Sequence, residues 1–400
     1  MLPLESAIER ILACIQPLPV EPVALSRASG RVLRTAAISV TDLPAFDNSA
    51  MDGYAVKAAE TEGASPENLK WLKLVGQIAA GEPANCSTVS GTAVRIFTGS
   101  MMPEGADSVV MQEDTLSLPG RPGEVAVKEG VKPWENVRFR GEDVKQGRAV
   151  VSAGTRLSAQ HIAVIAASGI AQLQVTRQPV VGLLATGSEL VEAGQPLKPG
   201  QIYESNRLML ASLLATWGVR TVIYPIVEDT LEATQAALQK AFSECDAVVT
   251  SGGVSVGGFD FVKDAFTSLG GKLDFWRVAI KPGKPFVFGE WNDRFLFGLP
   301  GNPVSAFVTA ALLMRPALLR LQGVSDTALP LIHATLAEPV TNRGDRRHFV
   351  RVTLDSSGHV RLAGTQASHQ LHSLAAANAL LDVPPETTLP AGAGVKISLL

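Results

Sequence analysis

The chain has 400 residues, 38 acidic and 35 basic side chains, and a formal net charge of −3. At roughly 150 residues per domain this length implies two to four domains, and 46% hydrophobic against 18% charged residues excludes a disordered chain. A pI near 6.1 gives no bulk positive field, so duplex nucleic acid is not an expected partner.

The first residues carry Glu5 and Glu9 where a secretory signal would carry lysines, which predicts a cytoplasmic protein. Leu4, Ile8, Ile11, Leu12 and Ile15 recur at helical spacing, and Pro17 and Pro19 end the pattern. From residue 40 to about 147, short β-favouring runs (71–75, 92–97, 108–112, 124–127) alternate with Pro, Gly and acidic punctuation. Ser158 then opens another apolar helix, expected to pack beside the first. The β-rich segment therefore reads as an insertion in a helical support. Cys14, Cys86 and Cys245 lie far apart with no C-x-x-C, which supports neither a disulfide framework nor a cysteine zinc site.

From residue 179 to about 321, strands alternate with helices. Strands are expected at 180–185, 219–227, 247–250, 275–280, 285–289 and 295–299. The helices between them are opened by Ser205, by Glu228-Asp229-Thr230 and by Asn302. This alternation predicts a mainly parallel sheet covered on both faces. The apolar run 306–319 is interrupted by Arg315 and Pro316 and reads as too short to span a bilayer. Beyond residue 330 the pattern alternates again and suggests a small barrel or sandwich.

Four loops should gather at the carboxyl edge of that sheet, where open α/β sheets bind ligands. The glycine-rich run 251–258 lets backbone N–H groups approach a phosphate or another oxyanion, although an ordinary turn has the same composition. It is neither a Walker A loop nor a G-x-G-x-x-G dinucleotide motif. Glu189, Asp229 and Asp260 should converge on this edge. Like charges beside an anion call for a divalent cation, and magnesium takes one or two carboxylates plus ligand phosphates. Asp229 and Asp260 are equally good helix caps, and the two roles are compatible. Lys281-Pro-Gly-Lys284-Pro, close behind Arg277, presents two cations on a stiff turn, either as an oxyanion clamp or as a solvated loop. Loops 42–55 and 138–143 mix acids with apolar anchors. His369 and His372 have ligand spacing but lack further ligands, so a zinc site is rejected.

These segments occur in a telling order: Asp-Asn-Ser-Ala-Met-Asp52-Gly-Tyr, Phe-Thr98-Gly, Arg-Gly-Glu-Asp143, Thr186-Gly187-Ser-Glu189, Ser251-Gly252-Gly253-Val-Ser-Val-Gly, Ile-Lys281-Pro-Gly-Lys284-Pro and Leu-Pro300-Gly301-Asn302-Pro303. Together they resemble the MoeA family of molybdopterin molybdenumtransferases, whose animal relative forms part of gephyrin, over nearly the whole chain. The resemblance implies a multidomain α/β plus β protein. Its parts would be a helical support (1–40 and 147–178), a β-rich inserted domain (41–146), a three-layer α/β molybdopterin-binding domain (179–327) and a C-terminal small β-barrel (328–400). It implies a homodimer with sites between protomers, and an activity that inserts molybdenum from molybdate into adenylylated molybdopterin with magnesium-dependent release of AMP.

Carried position by position, Asp229 and Asp260 resemble the magnesium-side carboxylates. Lys281, Lys284, Arg351 and Ser368 match positions that hold molybdate. Asp52, Asp143 and Glu189 match acids needed for activity, the first two reaching into the partner's cleft. Thr98, Pro300 and Pro303 match functional loops. Arg277 stands where some members have lysine, and 364–369 departs from the common Gly-Gln-Gly-Ser pattern, which weakens the placement of Arg351 and Ser368. With no second α/β domain of this kind, adenylylation of molybdopterin is expected on another chain, and apo-molybdoenzymes are the expected acceptors. The rival readings are a molybdopterin adenylyltransferase and a non-catalytic scaffold on the same fold.

Overall fold

The computed structural model describes residues 1–254 and 261–400. Helix α1 (Leu4–Cys14) forms where the apolar spacing places it and buries Leu4, Ala7 and Ile11. These side chains join one core with Val181, Leu183, Phe286 and Leu318. Its polar edge is tied down as well, Glu5 to Arg347 and Arg10 to Asp274. Helix α2 (Ala159–Ala167) instead buries Ile165 in a separate cluster with Leu33, Val151, Leu173 and Val175. The expected pairing of the two helices is therefore overturned: each apolar face is covered by a different core.

Strands β1 (Val20–Ala24) and β2 (Ala37–Ile38) precede β3 (Gly53–Val56), β4 (Lys70–Ile78), β5 (Thr92–Ile96), β6 (Ser108–Met111), β7 (Thr115–Leu116) and β8 (Glu124–Val127). Strands β9 (Ala149–Val151) and β10 (Gln172–Thr176) flank α2. The six strands β3 to β8 form one sheet in the order β6-β3-β5-β4-β8-β7. Antiparallel pairs β1 with β10 and β2 with β9 bring the chain back beside its point of departure, so this sheet is inserted between β2 and β9.

The central unit contains β11 (Val180–Ala185), α3 (Asn206–Thr216), β12 (Arg220–Ile223), α4 (Leu231–Glu244), β13 (Ala247–Ser251), α5 (Val262–Ser268), β14 (Lys272–Arg277), β15 (Ile280–Lys281), β16 (Pro285–Trp291) and β17 (Arg294–Leu299). Its sheet runs β12-β11-β13-β17-β16-β14; the first four strands pair parallel, and β16 alone runs opposite, antiparallel to both β17 and β14. Period-two alternation separates its faces. Val181, Leu183, Val249 and Phe297 face one core with α3, whereas Val180, Leu184, Val248 and Leu296 face another with α4 and α5. Strand β12 is shorter than the apolar run 219–227 predicted: its regular ladder to β11 ends with Tyr224 N–H on the Leu183 carbonyl, and the next bond, to the Ala185 carbonyl, comes from Val227 rather than Ile226.

The expected strand 275–280 divides. Strand β14 ends at Arg277, and β15 leaves this sheet to pair with the C-terminal unit. The last long helix, α6 (Pro303–Leu321), continues through Arg315 and Pro316 by way of a π-helical turn at Ala310–Met314. At 19 residues it is long and apolar enough to cross a bilayer, contrary to the length expectation, but 83% of its apolar window is buried inside the protein. It is a core helix.

Beyond it, β18 (Leu331–Leu336), β19 (Arg347–Leu354), β20 (His359–Leu362), β21 (Ala379–Val383) and β22 (Gly394–Leu399) pair in the order β19-β20-β18-β22-β21. The β19–β21 pairing closes a five-stranded barrel. Closure removes exposed edges, and β15 adds to β19 from outside.

One side chain in this barrel sets a pH limit. His348 on β19 is buried, and its Nε2 has no partner among the described residues. Burial, with repulsion from Lys281, Arg351 and Arg346, pushes its pKa down to about 4. The unfolded chain therefore binds more protons than the folded one below the ordinary histidine value, and stability falls as pH drops through that window. Denaturant unfolding should lose about 2 kcal/mol between pH 7 and pH 5 from this group. His348→Leu should remove that part of the slope.

Candidate functional site

The cleft follows from strand register. Ala185 pairs with Ser251 and Ser251 with Leu299, so β11, β13 and β17 end on one rung. Thr186 bridges to Val227, which brings loops 187–189 and 228–230 out side by side. The three strand ends and the start of α3 enclose about 500 Å³. Thr186, Gly187, Glu189, Asp229, Ser251, Gly252, Gly253, Pro300, Gly301, Asn302 and Pro303 all line it. Each of these was expected from sequence. Asp260 lies outside the described residues.

Glycine is required at the bend. Gly252 has φ +90° and Gly253 φ +67°, and a Cβ at Gly253 would meet Val262 Cγ2 at 2.6 Å. The Gly252 N–H donates to the Leu299 carbonyl at 3.1 Å, so it is unavailable to a ligand, contrary to expectation. Gly253 N–H has no acceptor among the described residues.

Asp229 does not cap α4. Thr230 does, its hydroxyl accepting from the Ala233 N–H at 3.2 Å. Asp229 Oδ2 instead accepts from Ser188 N–H at 2.8 Å and from Ser188 Oγ at 3.2 Å, which holds the carboxylate toward the cleft. Asn302 occupies the cap position of α6, but its amide donates to Ser368 Oγ at 3.2 Å rather than capping. Ser205 likewise precedes α3 without a side-chain cap bond.

Arg277, Lys281 and Lys284 do not themselves line this cleft, although Pro285, next to Lys284, does. Lys281 and Lys284 are exposed on a turn that Val278 N–H closes onto the Lys284 carbonyl at 3.1 Å. The N-terminus braces it: Leu2 N–H donates to the Arg277 carbonyl at 3.1 Å and Ala279 N–H to the Leu2 carbonyl at 2.8 Å. Arg277 stacks 3.7 Å from the Trp276 ring centroid. Arg351 is fully buried, and burial lowers its pKa. Its guanidinium donates to the Thr365 and Ala367 carbonyls at 2.9 and 3.2 Å and to Ser373 Oγ at 3.0 Å. Nη1 is left unpartnered among the described residues. Arg351 thus shapes the loop carrying Ser368, and Ser368 touches the cleft rim through Asn302.

Asp52, Thr98 and Asp143 do not line the cleft of their own chain. Asp52 Oδ1 accepts from Thr98 N–H at 2.7 Å and Thr98 Oγ1 at 2.8 Å, bonds that hold its pKa below the usual carboxylate value. Asp143 borders a separate cavity with Lys145 and Arg148. Loops 42–55 and 138–143 meet directly, since Arg140 N–H donates to Asp47 Oδ1 at 2.7 Å and its guanidinium pairs with Asp42.

Two features of the cleft were missed in the sequence. Asn206 forms part of its wall, and Glu204 is held there by Arg207, whose N–H and Nε both donate at 2.9 Å. Arg207 is 2% exposed and also pairs with Glu192 at 2.7 Å. The available signal was an arginine on the apolar stripe of Leu210 and Leu214.

Three family profiles match the chain: the MoeA N-terminal region (domains I and II) at residues 2–169, a probable molybdopterin-binding domain at 182–320, and the MoeA C-terminal region (domain IV) at 333–400. A molybdopterin molybdenumtransferase of Haemophilus influenzae is 37% identical over 393 residues, covering 96% of this chain and 95% of the relative. Molybdopterin molybdenumtransferase 2 of Mycobacterium tuberculosis is 39% identical, covering 94% of each. Among solved structures, a molybdopterin biosynthesis MoeA protein of Pyrococcus horikoshii covers both chains completely, with a TM-score of 0.85 and 31% identity. The chain therefore belongs to the MoeA family of molybdopterin molybdenumtransferases, and it is a transferase.

Proposed function

We propose that this chain inserts molybdenum from molybdate into adenylylated molybdopterin, with magnesium-dependent release of AMP. The observation that carries this reading is the cleft itself. A glycine bend with an open N–H and two acids, Glu189 and Asp229, line one cleft just beyond the level strand ends, a surface suited to a phosphate-bearing ligand together with a divalent cation. The donors fit magnesium. Asp229 Oδ1 has no hydrogen-bond partner among the described residues, and no three His, Cys, Asp or Glu side chains there gather into a complete metal site. A hard cation at Asp229 would thus complete its shell with ligand oxygens, and when bound it would neutralise charge on a pyrophosphate.

The chain's own contribution is positional. Ser188 holds the Asp229 carboxylate, Gly253 N–H, without an acceptor among the described residues, would be left for the ligand, and the Lys281–Lys284 turn would offer a positive end for a small oxyanion. Arg351 and Ser368 lie on the side of the cleft where Asn302 meets the barrel. No covalent enzyme intermediate is needed. Adenylylated molybdopterin would come from a separate adenylyltransferase, and the product would pass to apo-molybdoenzymes.

AMP release from adenylylated molybdopterin should require both magnesium and molybdate. Lys281→Ala should raise the molybdate concentration for half-maximal rate about tenfold, with the thermal midpoint unchanged. Release of pyrophosphate from ATP and molybdopterin, with no molybdate effect, would overturn the reading in favour of an adenylyltransferase.

Asp52, Thr98 and Asp143 remain outside their own cleft, which supports a homodimer in which they serve the partner's site. Asp52→Ala and Asp229→Ala should each be inactive alone. Refolded together, they should recover about a quarter of wild-type activity, because half the dimers are mixed and each mixed dimer keeps one intact site. Absence of recovery would mean that each site takes both acids from one and the same chain, and would overturn the shared-site reading.

A further inference from the structure

Asn206 is buried in the cleft wall at the first turn of α3. Its Nδ2 lies 2.7 Å from the Gly301 carbonyl oxygen and 2.6 Å from Ser251 Oγ. A carbonyl only accepts, so the atom facing Gly301 must be the amide nitrogen, and this fixes the orientation of the side chain. Both amide protons are then engaged, one on each neighbour. Ser251 Oγ is the acceptor of its bond.

A hydroxyl that accepts keeps its own proton for another partner. No acceptor among the described residues takes the Ser251 proton, and Ser251 lines the cleft at the end of β13 while only 3% exposed. The same cleft wall holds a second unsatisfied group, Asn206 Oδ1, which is buried without a partner among the described residues. Buried polar groups left unpaired are costly, and the Ser251 proton would be satisfied by an acceptor oxygen on a ligand seated in the cleft.

We infer that Asn206 is a positioning residue: it turns the Ser251 hydroxyl proton toward an anionic phosphate oxygen of the ligand and, through Gly301, fixes the opposite loop. This rests on the function proposed above. Asn206 acts at the ligand phosphate and has no part in holding molybdate. The backbone is consistent with the assignment, because Gly301 and Gly252 are neighbours: a Cβ on Gly301 would lie in ordinary van der Waals contact, 3.8 Å from the Gly252 Cα. One amide therefore joins the β13 and β17 loops at the point where they touch.

The test uses the full chain with adenylylated molybdopterin as probe, measuring its binding, the molybdate dependence of AMP release, and the thermal midpoint. Asn206→Ala and Ser251→Ala should each weaken binding about tenfold and leave the molybdate concentration for half-maximal rate unchanged. Because Asn206 acts through Ser251, the double variant should bind within about twofold of Ser251→Ala. Additive losses in the double variant, or parallel losses for both substrates, would show a merely structural role and overturn the inference. If Asn206→Ala loses its cooperative melt, Ser251→Ala carries the test alone, and wild-type binding by it overturns the inference. A wild-type chain that binds the probe without releasing AMP refutes the proposed function, while the binding comparison still decides the role of Asn206.

Discussion

The rung that joins Ala185, Ser251 and Leu299 sets the height of everything in the cleft. Parallel strands share a direction, so their carboxyl ends can finish level only if the register is fixed along their whole length. Here it is fixed by burial: all six residues of β11 and all five of β13 are inside, packed from both faces. A slip of one residue would exchange the two cores. The Gly252 N–H bond to Leu299 and the Thr186–Val227 bridge extend the same ladder one step beyond the strands, so the ligand-facing loops inherit the rigidity of the sheet.

A second constraint lies at the seam between the central sheet and the barrel. Strand β15 leaves one sheet and pairs with the other, carrying Lys281 into register with His348. Helix α1 bridges the same seam, with Glu5 on Arg347, which in turn pairs with Asp382. The short N-terminal segment braces the approach to the lysine turn through Leu2. Cations at the seam and acids in the cleft are thus held by separate elements.

The central unit was readable because its strands are continuous apolar runs and its turns are rich in glycine and proline. Strand β11 begins and ends where its pattern does, and the site residues expected on the carboxyl-edge loops, Asp260 apart, line the cleft. The failures have a common origin in competition between partners. Asp229 and Thr230 are both good caps, and Ser188 draws Asp229 away, leaving Thr230 to cap. Asn302 is drawn to Ser368 from a distant part of the chain. The run 275–280 has β character throughout, yet its last residues find a ladder in the barrel. Propensity states that a residue can make a bond; it does not rank distant partners.

The sequence by itself determined the layered α/β unit, the barrel-forming tail, the family and most of the cleft-lining residues, since hydrophobic period and turn chemistry are local properties. Only the tertiary structure decided that α1 covers the main core rather than α2, that α6 uses its apolar length inside the protein, and that Asn206 ties Ser251 to Gly301. Each of these depends on which surfaces meet. Burial and hydrogen-bond satisfaction are properties of the assembled chain, and a residue's neighbours in space are chosen by the packing of whole elements.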